Sequence, residues 1–370
     1  MLFEPLTVAS LQLANRTVMA PMTRNRAIDA NTPNALMAEY YGQRASAGLI
    51  ISEGTSPSPN GLGYARMPGL FNEAQVRGWK IVTDAVHAND GKIFVQLMHS
   101  GRVSQVANLP VRAEVLGPTG EACPGEIYTD AHGLLPRSAP RAMTRTDIDR
   151  AIDEFTTSAQ LAIEAGFDGV ELHAANGYLI EQFLNANVNL RTDDYGDGIE
   201  GRNRFALEVA RATAAAIGAH RVGIRLSPYG VFNSTGAFPD VEAQYLTLAQ
   251  QLSKLGLLYI HVLDHSAMDN YMGAPPVPAE FKSRLRTAFH GLFILAGGFD
   301  RASAEEALNA GEADLIAFAR PFLANPDLVE RMMANEALNT LDATTLYTPG
   351  PRGYTDYPTR AMTITHQKAV

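Results

Sequence analysis

The sequence predicts an α/β protein built as a (β/α)8 TIM barrel. Three observations carry that expectation. Eight short β-rich apolar runs recur along the chain, several continuous enough for parallel strands buried on both faces. Helical periodicity fills the intervals between them. Polar residues cluster just beyond the C-terminal ends of the runs, where barrels of this kind place their active sites.

The strands are expected at Thr17–Ala20, Leu49–Ser52, Lys92–Leu97, Gly169–Leu172, Val222–Leu226, Leu258–Val262, Leu292–Ala296 and Asp314–Phe318. Before the fourth, Ile148, Ile152, Phe155, Ala159, Ala162 and Ile163 repeat at helical spacing, with Thr146 as the N-cap and Gly166 as the stop. After the seventh, Ser303-x-x-Glu306 reads as a capping box on a helix ending near Gly311. Residues 5–15 read as a hairpin at the barrel floor. The segment from Gly101 to Arg141, rich in Pro and Gly, is too long for an ordinary connection and is expected to fold as an excursion capping the barrel mouth. An open doubly wound sheet is the alternative, but no G-x-G-x-x-G turn stands near the N-terminus. With no repeats and no linker, residues 1–370 read as one domain.

Composition narrows the function. Lys+Arg 30 against Asp+Glu 39 gives a net charge of −9, which argues against nucleic acid as a partner. The single cysteine, Cys123, excludes an internal disulfide and any iron–sulfur cluster. There is no basic n-region with an apolar stretch behind it, and no apolar run long enough to span a membrane. A cytoplasmic protein with no membrane partner is the expectation.

The residues beyond each strand form several constellations. Gly297-Gly298 after strand seven and Arg320 after strand eight occupy the positions where barrels bind phosphate. A phosphorylated substrate, FMN or pyridoxal phosphate would fit. Pyridoxal phosphate needs a lysine past a strand, and none stands there, so FMN is favoured. His173 and Asn176, three apart after strand four, provide two N–H donors able to polarise a carbonyl, and Tyr178 adds a weak acid beside them. Arg225 lies within an apolar strand, which calls for an anion or a strong acceptor. Either an ion pair with Glu171 or the N1 edge of a flavin satisfies it. His261-x-x-Asp264-His265 has the look of metal ligands, which would suggest a barrel hydrolase. The His-x-His pair expected on strand one of such enzymes is missing, so no metal is assigned.

The sequence also resembles the Old Yellow Enzyme family of FMN-dependent ene-reductases, in particular its N-ethylmaleimide reductase-like and 12-oxophytodienoate reductase-like members. The matching stretches run through nearly the whole chain: Met19-Ala20-Pro21-Met22-Thr23-Arg24, Gln96-Leu97-Met98-His99-Ser100-Gly101-Arg102, Gly166–His173, Arg191–Gly196, Asn325–Leu328 and Gly353–Pro358. The resemblance implies that Pro21, Met22 and Gly54 touch the flavin, that Thr23 bonds near its O4 and N5, and that Gln96 and Arg225 bind its pyrimidine edge. It implies that Gly297, Gly298, Ala319 and Arg320 hold the phosphate. His173 and Asn176 would bind the substrate carbonyl, Tyr178 would protonate, and Tyr64, Met98 and Tyr354 would line the pocket. NADPH or NADH would reduce the FMN, and an enone would then be reduced at its C=C bond. A reductase acting mainly on nitro compounds or nitrate esters is the alternative within the same chemistry. A monomer or homodimer is expected. Met98, Ala319 and Asp197 depart from the family pattern, which commonly has Trp, Gly and Gly there.

Overall fold

Eight parallel strands close into a barrel in the computed structural model, which describes residues 1–9, 11–267 and 273–362. Numbered along the chain, they are β1 (Thr17–Met19), β2 (Leu49–Thr55), β3 (Ile93–Leu97), β4 (Gly169–Ala174), β5 (Val222–Leu226), β6 (Tyr259–Leu263), β7 (Leu292–Ala296) and β8 (Leu315–Phe318). Each pairs with its sequence neighbours, and β8 closes on β1. The expected strands match residue for residue at β5 and β7. Elsewhere the ends move by one to three residues. The largest extension carries β2 through Glu53, Gly54 and Thr55, where a bulge between Ile51 and Gly54 resets the register against β3. A bulge at a strand end re-aims side chains at the barrel rim.

Alternation along the strands separates two environments. Residues pointing outward, such as Ile50, Val95, Leu172, Ile224 and Ile260, pack beneath the helices in the large apolar cluster. Residues pointing inward at the lower end, among them Val18, Ile51, Phe94, Tyr259 and Ile294, form a second cluster inside the barrel. The hairpin of Leu6–Val8 and Leu11–Leu13 adds its leucines to that inner cluster, so it plugs the floor as the sequence indicated. Higher up the barrel the inward positions turn polar: Gln96, Glu171, His173, Arg225 and His261.

The helices wrap this barrel. Helix α1 spans Ala35–Gly42, α2 Glu73–His87, α3 Arg145–Glu164, α4 Leu179–Leu184 and α5 Gly198–Ile217. They are followed by α6 (Val241–Lys254), α7 (Ala279–Ala288), α8 (Arg301–Asn309), α9 (Arg320–Ala324) and α10 (Leu328–Ala334). Two caps lie upstream of their expected positions. Helix α3 is capped by Thr144 with Asp147 at N3, and α8 by Asp300 with Ser303 at N3. Both boxes use a short side chain at N3 in place of Glu or Gln, which the usual pattern passes over.

The long segment after β3 carries a hairpin, Glu126–Thr129 with Gly133–Pro136, and a short parallel pair, Leu116–Gly117 with Arg141–Ala142. From it, Cys123 joins Leu62, Met67, Met98, Val103 and Tyr178 in a third apolar cluster at the C-terminal ends of the strands. No helix among the described residues is long and apolar enough to cross a membrane.

Candidate active site

The register of the sheet sets the site. His173 on β4 lies opposite Arg225 on β5, which in turn lies opposite His261 on β6. Glu171, two residues before His173 on the same face, lies opposite Gln96 on β3. The five side chains are buried. Gln96 Nε2 donates to Glu171 Oε1 at 2.8 Å, and His261 Nδ1 donates to Oε2 at 2.8 Å. Both carboxylate oxygens are thereby engaged by groups other than Arg225, and Arg225 makes no ion pair with Glu171 within 4.0 Å. The ion-pair alternative for Arg225 therefore does not hold as a direct contact. Its Nε is buried with no hydrogen-bond partner among the described residues, as is His261 Nε2 in the next strand. Burial pulls the Arg225 guanidinium below its ordinary range, with the Glu171 charge opposing. A buried cation with an unfilled donor is costly unless a further acceptor meets it.

His173 Nδ1 accepts the Ala175 backbone N–H at 3.3 Å, which leaves the ring proton on Nε2. Burial holds the imidazole well below its usual pKa, helped by the positive Arg225 and by His261. His173 is thus a neutral N–H donor. Its ring meets the Tyr178 ring edge-on, with centroids 4.9 Å apart.

Asn176 and Gly177 form a turn with two consecutive left-handed residues, at φ 59 and 73°. The Asn176 carboxamide is oriented by His265 Nε2, which donates to Oδ1 at 2.8 Å. Tyr178 caps the short helix α4 and is buried. Its hydroxyl lies 2.9 Å from that of Tyr64, and the two rings meet edge-on. His173, Tyr178 and Tyr64 thus come together beyond β4, although Tyr64 and Tyr178 stand 114 residues apart, and Asn176 lies on the turn between His173 and Tyr178.

Pro21 is buried and Met22 and Thr23 are half-buried on the turn after β1. Glu53 anchors that turn: it accepts the Arg24 backbone N–H and the Tyr41 hydroxyl. Burial raises the Glu53 carboxyl to about 7, against the lowering effect of the Arg24 N–H. Beyond the β2 bulge, Gly54 faces Met98 so closely that a Cβ there would stand 2.7 Å from the Met98 Sδ. Gly54 therefore makes room for the Met98 side chain.

After β7, Gly297 and Gly298 both have positive φ, and a Cβ on either would strike the backbone or side chain of Asp264 or Ala267. Ala319 is the N-cap of the short helix α9, and Arg320 is exposed. These residues lie at the C-terminal ends of two adjacent strands, as a phosphate site in this fold requires.

Tyr354 is fully buried. It stacks on Tyr40 with centroids 4.0 Å apart, and the guanidinium groups of Arg24 and Arg26 lie over its ring. Its hydroxyl has no partner among the described residues. Arg24, Arg26 and Arg44 donate to backbone carbonyls of the C-terminal segment, including those of Thr345, Leu346 and Gly353. This clamp, which the sequence reading missed, sets Tyr354 against the turn after β1. Buried arginines spaced along an N-terminal stretch were the only signal for it.

His261, Asp264 and His265 diverge to separate partners: Glu171, the backbone of Ser266 and Val277, and Asn176. Among the described residues no group of three or more His, Cys, Asp or Glu is arranged to hold a metal ion.

Barrel architecture, buried polar atoms without partners among the described residues and a glycine turn with an arginine beyond it describe a barrel with a site for a polar, phosphate-bearing ligand at its mouth. Residues 1–339 match the NADH:flavin oxidoreductase / NADH oxidase family, and the chain belongs to that family, the Old Yellow Enzymes. It is 42% identical to 12-oxophytodienoate reductase 1 of Oryza sativa subsp. japonica, over 96% of this chain and 92% of the relative. It is 41% identical to chanoclavine-I aldehyde reductase of Penicillium roqueforti, over 100% and 98%. Among solved structures, morphinone reductase superposes with a TM-score of 0.92 at 43% identity, covering 97% of this chain and 96% of that one. The Old Yellow Enzyme homologue from Zymomonas mobilis gives 0.91 at 38% identity, covering 96% and 99%. The chain is a flavin-dependent enzyme of the ene-reductase type, using a nicotinamide as hydride source.

Proposed function

We propose that this chain binds FMN at the barrel mouth and reduces the C=C bond of small α,β-unsaturated carbonyl compounds at the expense of NADPH or NADH. The observation that carries the reading is the neutral His173 donor set edge-on to Tyr178, in the row that contains Arg225, whose buried Nε has no partner among the described residues. The residues fit the cofactor. Arg225 and Gln96 would hold the pyrimidine edge, with Pro21, Met22, Thr23 and Gly54 along the ring. Gly297, Gly298, Ala319 and Arg320 would take the phosphate, whose charge the exposed Arg320 guanidinium and open backbone N–H groups suit. When bound, FMN supplies a two-electron carrier that accepts hydride from the nicotinamide and delivers it to the alkene β-carbon.

The protein groups do the rest. His173 Nε2 and the Asn176 carboxamide donate to the substrate carbonyl oxygen. Because His173 stays neutral, it stabilises the negative charge developing there without giving up its proton. Tyr178 Oη delivers a proton to the α-carbon. Tyr64, Met98 and Tyr354 shape the wall. The whole chain acts as one FMN-binding unit, with the segment 101–141 covering the mouth. The protein would act on small molecules as a cytoplasmic monomer or homodimer with no membrane partner, and its net charge of −9 disfavours a nucleic-acid partner.

Tyr178→Phe tests the assignment. The flavin should still be reduced by NADPH at the native rate, while its reoxidation by 2-cyclohexenone falls about 10²–10⁴-fold, the range for a lost general acid. Native reoxidation by the variant would remove Tyr178 from the mechanism.

A further inference from the structure

Asn176 is useful only if its strained turn is held in place, and the buried residues beneath it are arranged to do that. The Asn176 backbone N–H donates to Ser227 Oγ at 2.9 Å. Ser227 Oγ, with one of its two lone pairs so used, donates to Glu181, with both carboxylate oxygens within 3.0 Å. The Gly177 N–H donates to Glu181 Oε2 at 2.5 Å, and Tyr245 Oη donates to Oε1 at 3.4 Å. Glu181 and Ser227 are each 1% exposed. The two consecutive left-handed residues therefore have both their N–H groups tied, directly or through one hydroxyl, to a single carboxylate. Non-glycine residues with positive φ persist only where the surroundings over-determine them.

We infer that Glu181, acting through Ser227, is a positioning residue for the substrate carbonyl: it fixes the Asn176–Gly177 turn so that the Asn176 carboxamide converges with His173. The inference rests on the role proposed above for Asn176. Every hydrogen bond in the chain runs toward the carboxylate: N–H to hydroxyl, hydroxyl to carboxylate, N–H to carboxylate. Donors from three elements meet this one carboxyl group, which burial pushes up to about 7 against the lowering effect of the bonds from Gly177, Ser227 and Tyr245, and Glu181 touches neither substrate nor flavin in this scheme. A glutamine at 181 keeps the size and one acceptor oxygen, able to take the Gly177 N–H and the Ser227 O–H together, but removes the charge and turns an N–H2 toward Tyr245. Bonds to a charged acceptor are roughly twice as strong as neutral ones, so the hold on the turn is weakened. No feature of the linear sequence marks this role, because Glu181 reads as an ordinary polar residue of α4.

The test uses the flavin-loaded enzyme and cyclohexanone, a ketone with no C=C bond to reduce, followed by the perturbation it causes in the flavin absorption band. At pH 8 or above, where the carboxylate is charged, Glu181→Gln should weaken cyclohexanone binding about tenfold, the difference between a charged and a neutral acceptor, and raise KM for 2-cyclohexenone in parallel. Flavin content should stay native. The decisive readout is a double-mutant cycle. In an Asn176→Ala background the Glu181→Gln change should have no further effect, because both act on the same donor. Ser227→Ala, which cuts the link and leaves the carboxylate, should reproduce the loss and carries the test should Glu181→Gln misfold. Native affinity in both variants, or additive losses in the cycle, would overturn the inference while leaving the ene-reductase reading intact. Absence of ketone binding in the native enzyme would overturn both.

Discussion

Arg225 offers a prediction with opposite signs in the free and the flavin-bound protein. Its guanidinium is buried in the barrel, its Nε has no partner, and the Glu171 oxygens are engaged by Gln96 and His261. Without a ligand the group is a cost: a buried polar group left unsatisfied loses about 1–3 kcal/mol, and more when charged. Arg225→Met keeps the aliphatic stem and removes that cost. The flavin-free variant should therefore melt at or above the native flavin-free protein. With FMN the balance reverses. A hydrogen bond from a charged donor contributes about 1.5–3 kcal/mol. FMN affinity should accordingly fall roughly 10–150-fold. For 370 residues the unfolding entropy is about 0.8 kcal/mol/K, so the rise in Tm produced by a fixed excess of FMN should shrink by about 2–4 °C. Fluorimetric melting of both proteins, with and without FMN, reads all four states. A variant that melts well below native without flavin, yet shows an undiminished FMN shift, would refute the reasoning and make Arg225 a structural cation.

Two further outcomes follow from the same geometry. His173→Ala should retain flavin but bind cyclohexanone about tenfold more weakly, for one lost hydrogen bond. It should also reduce 2-cyclohexenone roughly 10²-fold more slowly, for one lost oxyanion donor; loss of flavin with unchanged ketone affinity would contradict the role. His99 is buried, its Nδ1 accepts the Gly101 N–H, and burial brings its pKa to about 3. The folded pKa lies below the unfolded one, so its contribution is intact above pH ~6.5 and is lost as pH falls toward 3. His99→Gln should remove close to one proton of uptake on unfolding between pH 4 and 6, measured from the pH dependence of urea midpoints; an unchanged slope would show that His99 is protonated in the folded protein.

The barrel was legible because its evidence is local. Parallel strands buried on both faces leave unbroken apolar runs, and β5 and β7 could be read to the residue. The strand ends were harder. At β2 the ladder continues through polar residues past a bulge, and no hydrophobic pattern records that. The catalytic candidates were visible as polar residues just past strands, and family resemblance gave them roles. What joins them was not visible. The Tyr64–Tyr178 contact, the His265–Asn176 bond and the carboxylate of Glu181 under the Asn176 turn depend on loops that meet only after the barrel closes. The arginine clamp on the C-terminal segment likewise spans more than 300 residues of sequence.

The central claim is tested most directly by the visible absorption of the purified protein, kept free of oxygen while NADPH and then 2-cyclohexenone are added. The account predicts a flavin band that bleaches with NADPH and returns on addition of the enone, with cyclohexanone formed in equal amount. A protein that neither carries flavin nor takes up FMN, or whose reduced flavin persists in the presence of the enone, would contradict it.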